Sequence, residues 1–460
     1  MSVSIWLTGE RISLLSGRIK MNRFKALVSR AAFSSALSLK RTMRLGTASL
    51  VAIFLLVAGT AAAAQDAEVQ GLKSRVEELE KKLEEKEQAP VSGLPEWLKS
   101  IELHSFLSVG YVYNFNEPDS DINTQRLFDF RHNAFRVDDF QFSVLRAVTE
   151  PGDAGFRFDL DVGANIPRSI HSAGLLTGED IDLRQAFVSY NAPVGNGLTV
   201  DFGKFITHFG LEVIEGWPGF NDNYSRSYDF AFAIPFTHTG LRATYPISEQ
   251  LSVMAMVVNG WDQVDDINDQ KGYGGQIGFF PMEEVSLYLN YLGSPEQPNR
   301  DGAWRHLFGF TWVAKPLPGV LPDLTLSGTY DYGFEEDLAV NPVTASTEDV
   351  EWHAAQAVVR YDFTPWFYLA LRGEWMDDED GVRIAPCPSG DLCAGADVRT
   401  FGLGQRVWAI TVTPTFKVGE HLVIRPEFRY DESSENVFED ELGGLKDSQT
   451  TVGVNAIYYF

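Results

Sequence analysis

From Ile101 to the last residue, apolar and polar positions alternate with period two. In GFRFDLDV, Phe156, Phe158, Leu160 and Val162 fall on one face, and Arg157, Asp159 and Asp161 fall on the other. SLYLNYL, TLSGTYDY and HLVIRPEFRY behave alike. The pattern predicts about sixteen strands of the ~10-residue length that a tilted membrane strand requires. They begin near Ile101, Ala134, Gly155, Ile181, Leu198, Pro235, Gln250, Lys271, Glu284, Trp304, Pro322, Trp352, Trp366, Arg399, His421 and Gln449. Alternation alone also suits a soluble sandwich.

The connections separate the two readings. After the first strand comes a long polar segment, NEPDSDINTQRLFDFR, and after the second a tight TEPGDA. The alternation continues with short PISEQ, PMEE, PLPGVLP, FTP and KVGE. Between them lie long segments near 206–234, 260–270, 294–303, 334–350, 377–398 and 432–448. Long loops at one end and short turns at the other predict an all-β membrane protein. Its fold is a closed antiparallel outer-membrane β-barrel of about 16 strands (16–18) with extracellular loops and periplasmic turns. TVGVNAIYYF ends the chain as a strand, with Phe460, Tyr458, Ala456, Val454 and Val452 on its lipid face and Asn455 and Thr451 on its wet face. Tyr458 and Phe460 resemble the C-terminal recognition signal of outer-membrane barrels, which implies that the barrel-assembly machinery reads them, and this strand closes the barrel against the first.

Before Ile101 the period differs. Val69, Leu72, Val76, Leu79 and Leu83 recur at steps of three and four, an a/d seam that predicts a short periplasmic coiled-coil helix over 65–89, with a linker over 90–100. A solvated single helix fits the same residues. MRLGTASLVAIFLLVAGTAAAAQDA, from Met43, has a basic start, an apolar run and small residues, so 1–64 reads as a signal peptide behind an upstream extension. The run is short of the ~18 residues of a transmembrane anchor. No later segment is apolar enough for a membrane helix.

Charge narrows the partners. The first 64 residues hold nine Lys and Arg against one acid, so removing them takes the net charge from −25 to −33. Such a chain repels phosphates, which argues against nucleic acid. The acids gather in the long loops, as in DQVDDINDQ and SSENVFEDELGG, where they would repel anions and could attract divalent cations. Cys387 and Cys393 are the two cysteines, and an oxidising compartment favours a disulfide between them over free thiols. The eight histidines are scattered without metal-site spacing, and there is no GxSxG elbow or phosphate-cradling loop. The reading is therefore not an enzyme, with no cofactor and no structural metal.

GYVYNFNEPDSDINTQRLFDFRHNAFRVDDFQFSVLRA, then VDFGKFITHFGLEVIEGWPGFNDNYSRSYDFAFAIPFTHTGLRATYPI and VNGWD, resemble the OmpL-like β-barrel porins of Gram-negative bacteria. The resemblance covers 101–460 in outline. It implies an outer-membrane porin, a passive diffusion channel for small hydrophilic solutes or ions, and a homotrimer. By position, loop 206–234 corresponds to the loop that folds into the barrel of trimeric porins and narrows it. Here that loop carries Glu212, Glu215, Trp217, Asp222, Tyr224 and Asp229. Alternation places Arg157, Asp159, Asp161, Arg184, Arg242, Arg360, Arg372, Arg406, Arg425, Glu427 and Arg429 on the lumen face. Either the arginines face the loop carboxylates across a gap and set a transverse field, or they pair with wall neighbours such as Asp159, Asp161, Asp182, Glu374 and Glu427. The other functional reading is a barrel with no open channel, an anchor or adhesin presenting acidic loops.

Overall fold

The computed structural model describes residues 99–166, 181–341, 346–384 and 403–460. Its strands are β1 (Glu102–Asn114), β2 (Ala134–Arg146), β3 (Ala154–Val162), β4 (Ile181–Ala192), β5 (Leu198–Ile206), β6 (Thr237–Pro246), β7 (Leu251–Val258), β8 (Gly272–Met282), β9 (Val285–Gln297), β10 (Arg300–Ala314), β11 (Leu324–Asn341), β12 (Ser346–Thr364), β13 (Phe367–Asp378), β14 (Gln405–Val418), β15 (Leu422–Ser433), β16 (Phe438–Glu439), β17 (Leu445–Lys446) and β18 (Ser448–Tyr459). Sixteen of them close one antiparallel barrel, while β16 and β17 form a small separate hairpin. β18 pairs with both β15 and β1, and Phe106 stands opposite Tyr459 at the seam. The signal peptide, the coiled-coil segment, residues 90–98 of the linker, and Cys387 and Cys393 lie outside the described residues. Among the described residues, no helix is long and apolar enough to cross a membrane.

Three strand starts differ from the sequence reading. β10 begins at Arg300 rather than near Trp304, β12 at Ser346 rather than near Trp352, and β14 at Gln405 rather than near Arg399. The segments near 294–303 and 334–350, read as long loops, are largely hairpin: only residues 298–299 separate β9 from β10, and β11 runs to Asn341. Polar residues on both faces, as in GFEEDLAV, mimic a loop. A strand that rises above the lipid has no reason to keep one face apolar, so pattern alone misses the extension.

The two faces sort by chemistry. Large apolar side chains such as Phe135, Phe202, Leu289, Leu371 and Val454 are exposed on the outside. Phe460, Tyr458 and Val452 are exposed with them, while Thr451 and Asn455 are buried inside. Arg406 departs from its assignment to the lumen. Gln405, Val407 and Ala409 turn inward, so Arg406 lies on the outer face with its side chain 53% exposed, paired to Asp377 at 3.0 Å and to Glu379. Arg406 shares the phase of Trp408, Ile410 and Phe416, while Thr411, Thr413 and Thr415 face inward with Gln405; near the loop end of β14 the outer face is not held to the apolar pattern, so a charge stands there.

The inner wall is also not uniformly polar. Met254, Met256 and Val258 of β7, Leu307 of β10 and Trp352 of β12 are buried inward and belong to the main apolar cluster. If the outer face meets lipid, Leu371→Arg near the middle of β13 should lower stability by about 2–4 kcal/mol. Reversible denaturant unfolding in bilayers measures this, and an unchanged midpoint would place that face away from lipid.

Candidate functional site: a loop clamped inside the barrel

Residues 207–236, here called L3, connect β5 to β6 and lie within the barrel, with Ser225, Ser227, Asp229 and Ala233 fully buried. A buried loop has amides and carbonyls that water cannot serve, so each needs a partner from the protein. L3 has little regular structure of its own beyond a π-helical turn, Asp229–Ala233. The wall therefore supplies the partners.

Carboxylates of the wall take the amides. Glu427 accepts from the amides of Tyr224 (2.6 Å) and Ser225 (2.9 Å), and Glu374 accepts from Tyr228 (2.6 Å). Gln141 accepts from the amide of Trp217 at 2.8 Å. Wall arginines take the carbonyls. Arg425 donates to Asn221 O (2.5 Å) and Asn223 O (3.1 Å), Arg372 to Ser225 O (2.7 Å) and Arg429 to Arg226 O (2.6 Å). On the opposite wall, Arg184 donates to Glu215 O (2.8 Å) and Arg157 to Trp217 O (2.7 Å).

The loop's own carboxylates complete the clamp. Glu212 pairs with Arg372 at 2.7 Å, Glu215 with Arg425 at 2.5 Å, and Asp222 with Arg360 at 3.0 Å. Arg372, Arg425 and Arg429 are almost fully buried. Such charge-assisted bonds are the strong class, and removing one partner of a buried pair costs about 3–5 kcal/mol because the other charge is stranded.

Neither reading of the arginines therefore holds alone. They do pair along the wall, as in Arg157–Asp159 (2.8 Å), Arg184–Asp161 (3.0 Å), Arg242–Asp201 (2.8 Å) and Arg429–Glu374 (3.2 Å). Yet Arg372 and Arg425 touch Glu212 and Glu215 directly, leaving no gap between those partners for a solute. The carboxyl of Asp229 also turns to the wall. Asp222, by contrast, remains partly exposed, and Trp217 stacks on His104 with ring centroids 3.7 Å apart. Tyr224 reaches the opposite wall, where its hydroxyl donates to Asp138 at 2.9 Å.

The far half of L3 docks by burial. Phe230, Phe232, Ile234 and Phe236 join Phe128 of the first long loop, Trp261 and the apolar sector of the inner wall in one cluster. Trp352 Nε1 donates to Ala233 O at 3.1 Å, and Asp262 accepts the amides of Phe236 (2.6 Å) and Thr237 (2.8 Å). Burial raises the Asp262 carboxyl to about 6, although those two amides oppose the rise. Asp229 faces Asp331 of β11, both fully buried, with Glu212 and Gln356 nearby. Burial first, then the Asp331 charge, pushes the Asp229 carboxyl well above the usual carboxylate range.

Several site residues escaped the sequence reading. Asp138 and Asp139 are consecutive, yet both are buried inside, because a bulge in β2 opposite Ser108 and Val109 interrupts the register. A second irregularity in β4 buries both Arg184 and Gln185. The signal is a one-residue slip in FRVDDFQFS, where the polar phase passes from Arg136 and Asp138 to Gln141 and Ser143. Gly110 clears the space beside them, since a Cβ there would lie 2.1 Å from the Tyr224 hydroxyl. In the first long loop, Arg126 bridges Asp129 and Asp431 through buried ion pairs that link loop to wall.

A closed, even-stranded barrel with an apolar outer face and a long loop clamped in its lumen is the architecture of an outer-membrane porin. The family described as putative beta-barrel porin-2, OmpL-like, matches residues 100–460, and the chain belongs to it. It is accordingly a porin of the outer membrane, a channel rather than an enzyme by family and fold. Among solved structures, it is similar to the anion-selective porin of Comamonas acidovorans, with a TM-score of 0.50 and 11% identity over 78% of this chain and 99% of that one. It is likewise similar to OprB of Pseudomonas putida at high pH, with a TM-score of 0.50 and 12% identity over 79% of this chain and 95% of that one. At these identities the likeness shows the fold. A comparison with curated proteins found no match.

The Asp229 carboxyl gives L3 a pH dependence. Because its value is raised in the docked loop, its contribution to docking is complete below the ordinary carboxylate value of about 4 and is lost as pH rises through the elevated value. Tryptic cleavage after Arg226, normalised to a free peptide, should therefore quicken with rising pH. In Asp229→Asn that component of the rise should vanish, and equal pH profiles for the two proteins would exclude this carboxyl as its source.

Proposed function

We propose that this porin passes small hydrophilic solutes or ions passively, and that L3 sets the constriction. The observation carrying this reading is the double clamp of Glu212–Arg372 and Glu215–Arg425, which holds L3 across the lumen. Sixteen strands make a barrel wide enough for water, unlike the ~8 whose interior fills with side chains. The loop then determines how much of that width remains. The apolar cluster beneath the far half of L3 favours a second reading, a barrel that conducts nothing and serves as an anchor with acidic loops.

Current across a planar bilayer separates the two. Folded protein should give discrete steps, and Glu212→Gln or Glu215→Gln should raise conductance by freeing L3 from its arginine. Absence of current from folded protein would remove the channel reading. If neither substitution changes conductance or reversal potential, L3 loses its role as the constriction.

The protein assembles as a homotrimer in this reading, with the 65–89 segment in the periplasm as a coiled coil. The uneven wall supports association: β3, β5 and β7 have 9, 9 and 8 residues against 18 and 19 for β11 and β12. A low wall leaves the barrel side open to cover by a neighbour. Deleting 66–88 should shift the mass of the detergent-solubilised oligomer towards the monomer, and an unchanged trimer mass would remove the helix from assembly. The outward Tyr458 and Phe460 suit capture of the last strand by the barrel-assembly machinery before β18 pairs with β1. The acidic outer loops would gather divalent cations diffusely, since among the described residues no three His, Cys, Asp or Glu side chains are grouped to hold a metal ion.

A further inference from the structure

L3 is clamped to the arginines of β12, β13 and β15, but a small cavity, with room for about one water-sized group, remains on its other side, against β1 and β2. Asp138, Asp139, Asn165, Glu215, Tyr224 and Arg226 are among its lining residues. Asp138 and Asp139 are 1% and 4% exposed, and Oδ1 of each has no hydrogen-bond partner among the described residues. Their surroundings leave them unevenly neutralised. Glu215 is paired to Arg425 at 2.5 Å and to Arg226 at 3.5 Å. Asp138 takes the Tyr224 hydroxyl on Oδ2, and Oδ1 stands 3.7 Å from Arg136. Asp139 has no ion pair within 4.0 Å among the described residues.

Two buried carboxylate oxygens lack partners although Arg226 lines the same cavity, because its guanidinium is turned to Tyr224 O (2.7 Å) and Glu215 (3.5 Å), and they call for a ligand that brings donors to them. The bulge in β2 turns both acids inward, and Gly110 makes room for Tyr224 to hold Asp138 in place. No grouping among the described residues suits chelation of a single metal ion. A primary ammonium group fits better, because it carries positive charge and three N–H donors that can reach separate acceptors. We propose that this cavity is a binding step for primary ammonium cations on the solute path, on the side of L3 away from the arginine clamp. The proposal deepens the diffusion-channel reading and rests on it for the path, though not for the binding.

The probe is 1,4-diaminobutane, titrated calorimetrically into folded protein in detergent and added to both sides of a bilayer carrying potassium current. Saturable binding and concentration-dependent block are expected, and Asp139→Asn should weaken both about tenfold or more, the scale of a lost charged hydrogen bond. Asn165→Asp keeps an acceptor for Arg136 and adds a carboxylate, so it should tighten binding, which provides a second test if Asp139→Asn does not fold. The bis(trimethylammonium) analogue of the probe, with equal charge and no N–H, should not bind. Equal affinity of wild type and folded Asp139→Asn, no tightening in Asn165→Asp, or equal binding of the bis(trimethylammonium) analogue would overturn the proposal. Binding without current would remove the open-channel reading and keep the site, whereas current with neither binding nor block would remove the site and keep the channel.

Discussion

A polypeptide segment placed across the inside of a barrel must have its amides and carbonyls paired by the wall, because little water reaches them. Most features of this lumen follow from that requirement. Glu427, Glu374 and Gln141 receive L3 amides, and Arg425, Arg372, Arg429, Arg184 and Arg157 receive its carbonyls. Carboxylates and guanidinium groups suit the task because each makes several strong bonds from one side chain, and the pairs also neutralise one another. The charge of the lumen is thus partly structural. An arginine that bonds both a loop carbonyl and a loop carboxylate is no longer free to steer ions, so the field in the pore comes from the groups left over.

Two of those leftover groups lie together on one side. The β12–β15 wall is spent on the clamp, and the β7–β14 sector contributes an apolar floor under Phe230, Phe232 and Ile234. The β1–β2 wall keeps two acids with unpartnered oxygens. The division arises from different periodic defects: β7 carries apolar residues on both faces, and β2 carries a bulge that turns consecutive acids inward. A regular alternating strand could do neither, since every second residue would be committed to lipid.

The barrel was legible because its pattern is imposed by lipid. Phe156, Phe158 and Leu160 must alternate with Arg157, Asp159 and Asp161 wherever one face is greasy and the other is not. The closing strand was legible for the same reason, through Val452, Val454 and Tyr458. Above the lipid that constraint ends, so the tops of β9 to β12 read as loops. Arg406 shares the phase of Trp408, Ile410 and Phe416, opposite Gln405, Thr411, Thr413 and Thr415, so its assignment to the lumen rests on its charge and not on its phase. Of the site, the place of L3 rests on the resemblance in position to the inward loop of trimeric porins, and most of its wall partners can be read from alternation. The contacts between them could not: Glu212 meets Arg372 across 160 positions of sequence, and no local pattern encodes such a pairing.

The position of Asp229 shows why a loop of this kind is a candidate moving part. Its carboxyl lies against Asp331 with both side chains fully buried, while neighbouring stretches of L3 rest in arginine pairs. The loop is thus held by ion pairs at Glu212 and Glu215 and by a proton-dependent contact at its π-helical turn. The two anchors fail under different conditions: loss of an ion-pair partner strands a charge, whereas loss of the shared proton sets two carboxylates against each other. Since Phe230, Phe232, Ile234 and Phe236 of the apolar cluster follow Asp229, repulsion there acts on the half of L3 that covers the greasy sector. The clamp at Glu212 and Glu215 can stay closed as that half loosens, so movement of L3 would begin at the turn and leave the acidic β1–β2 side in place.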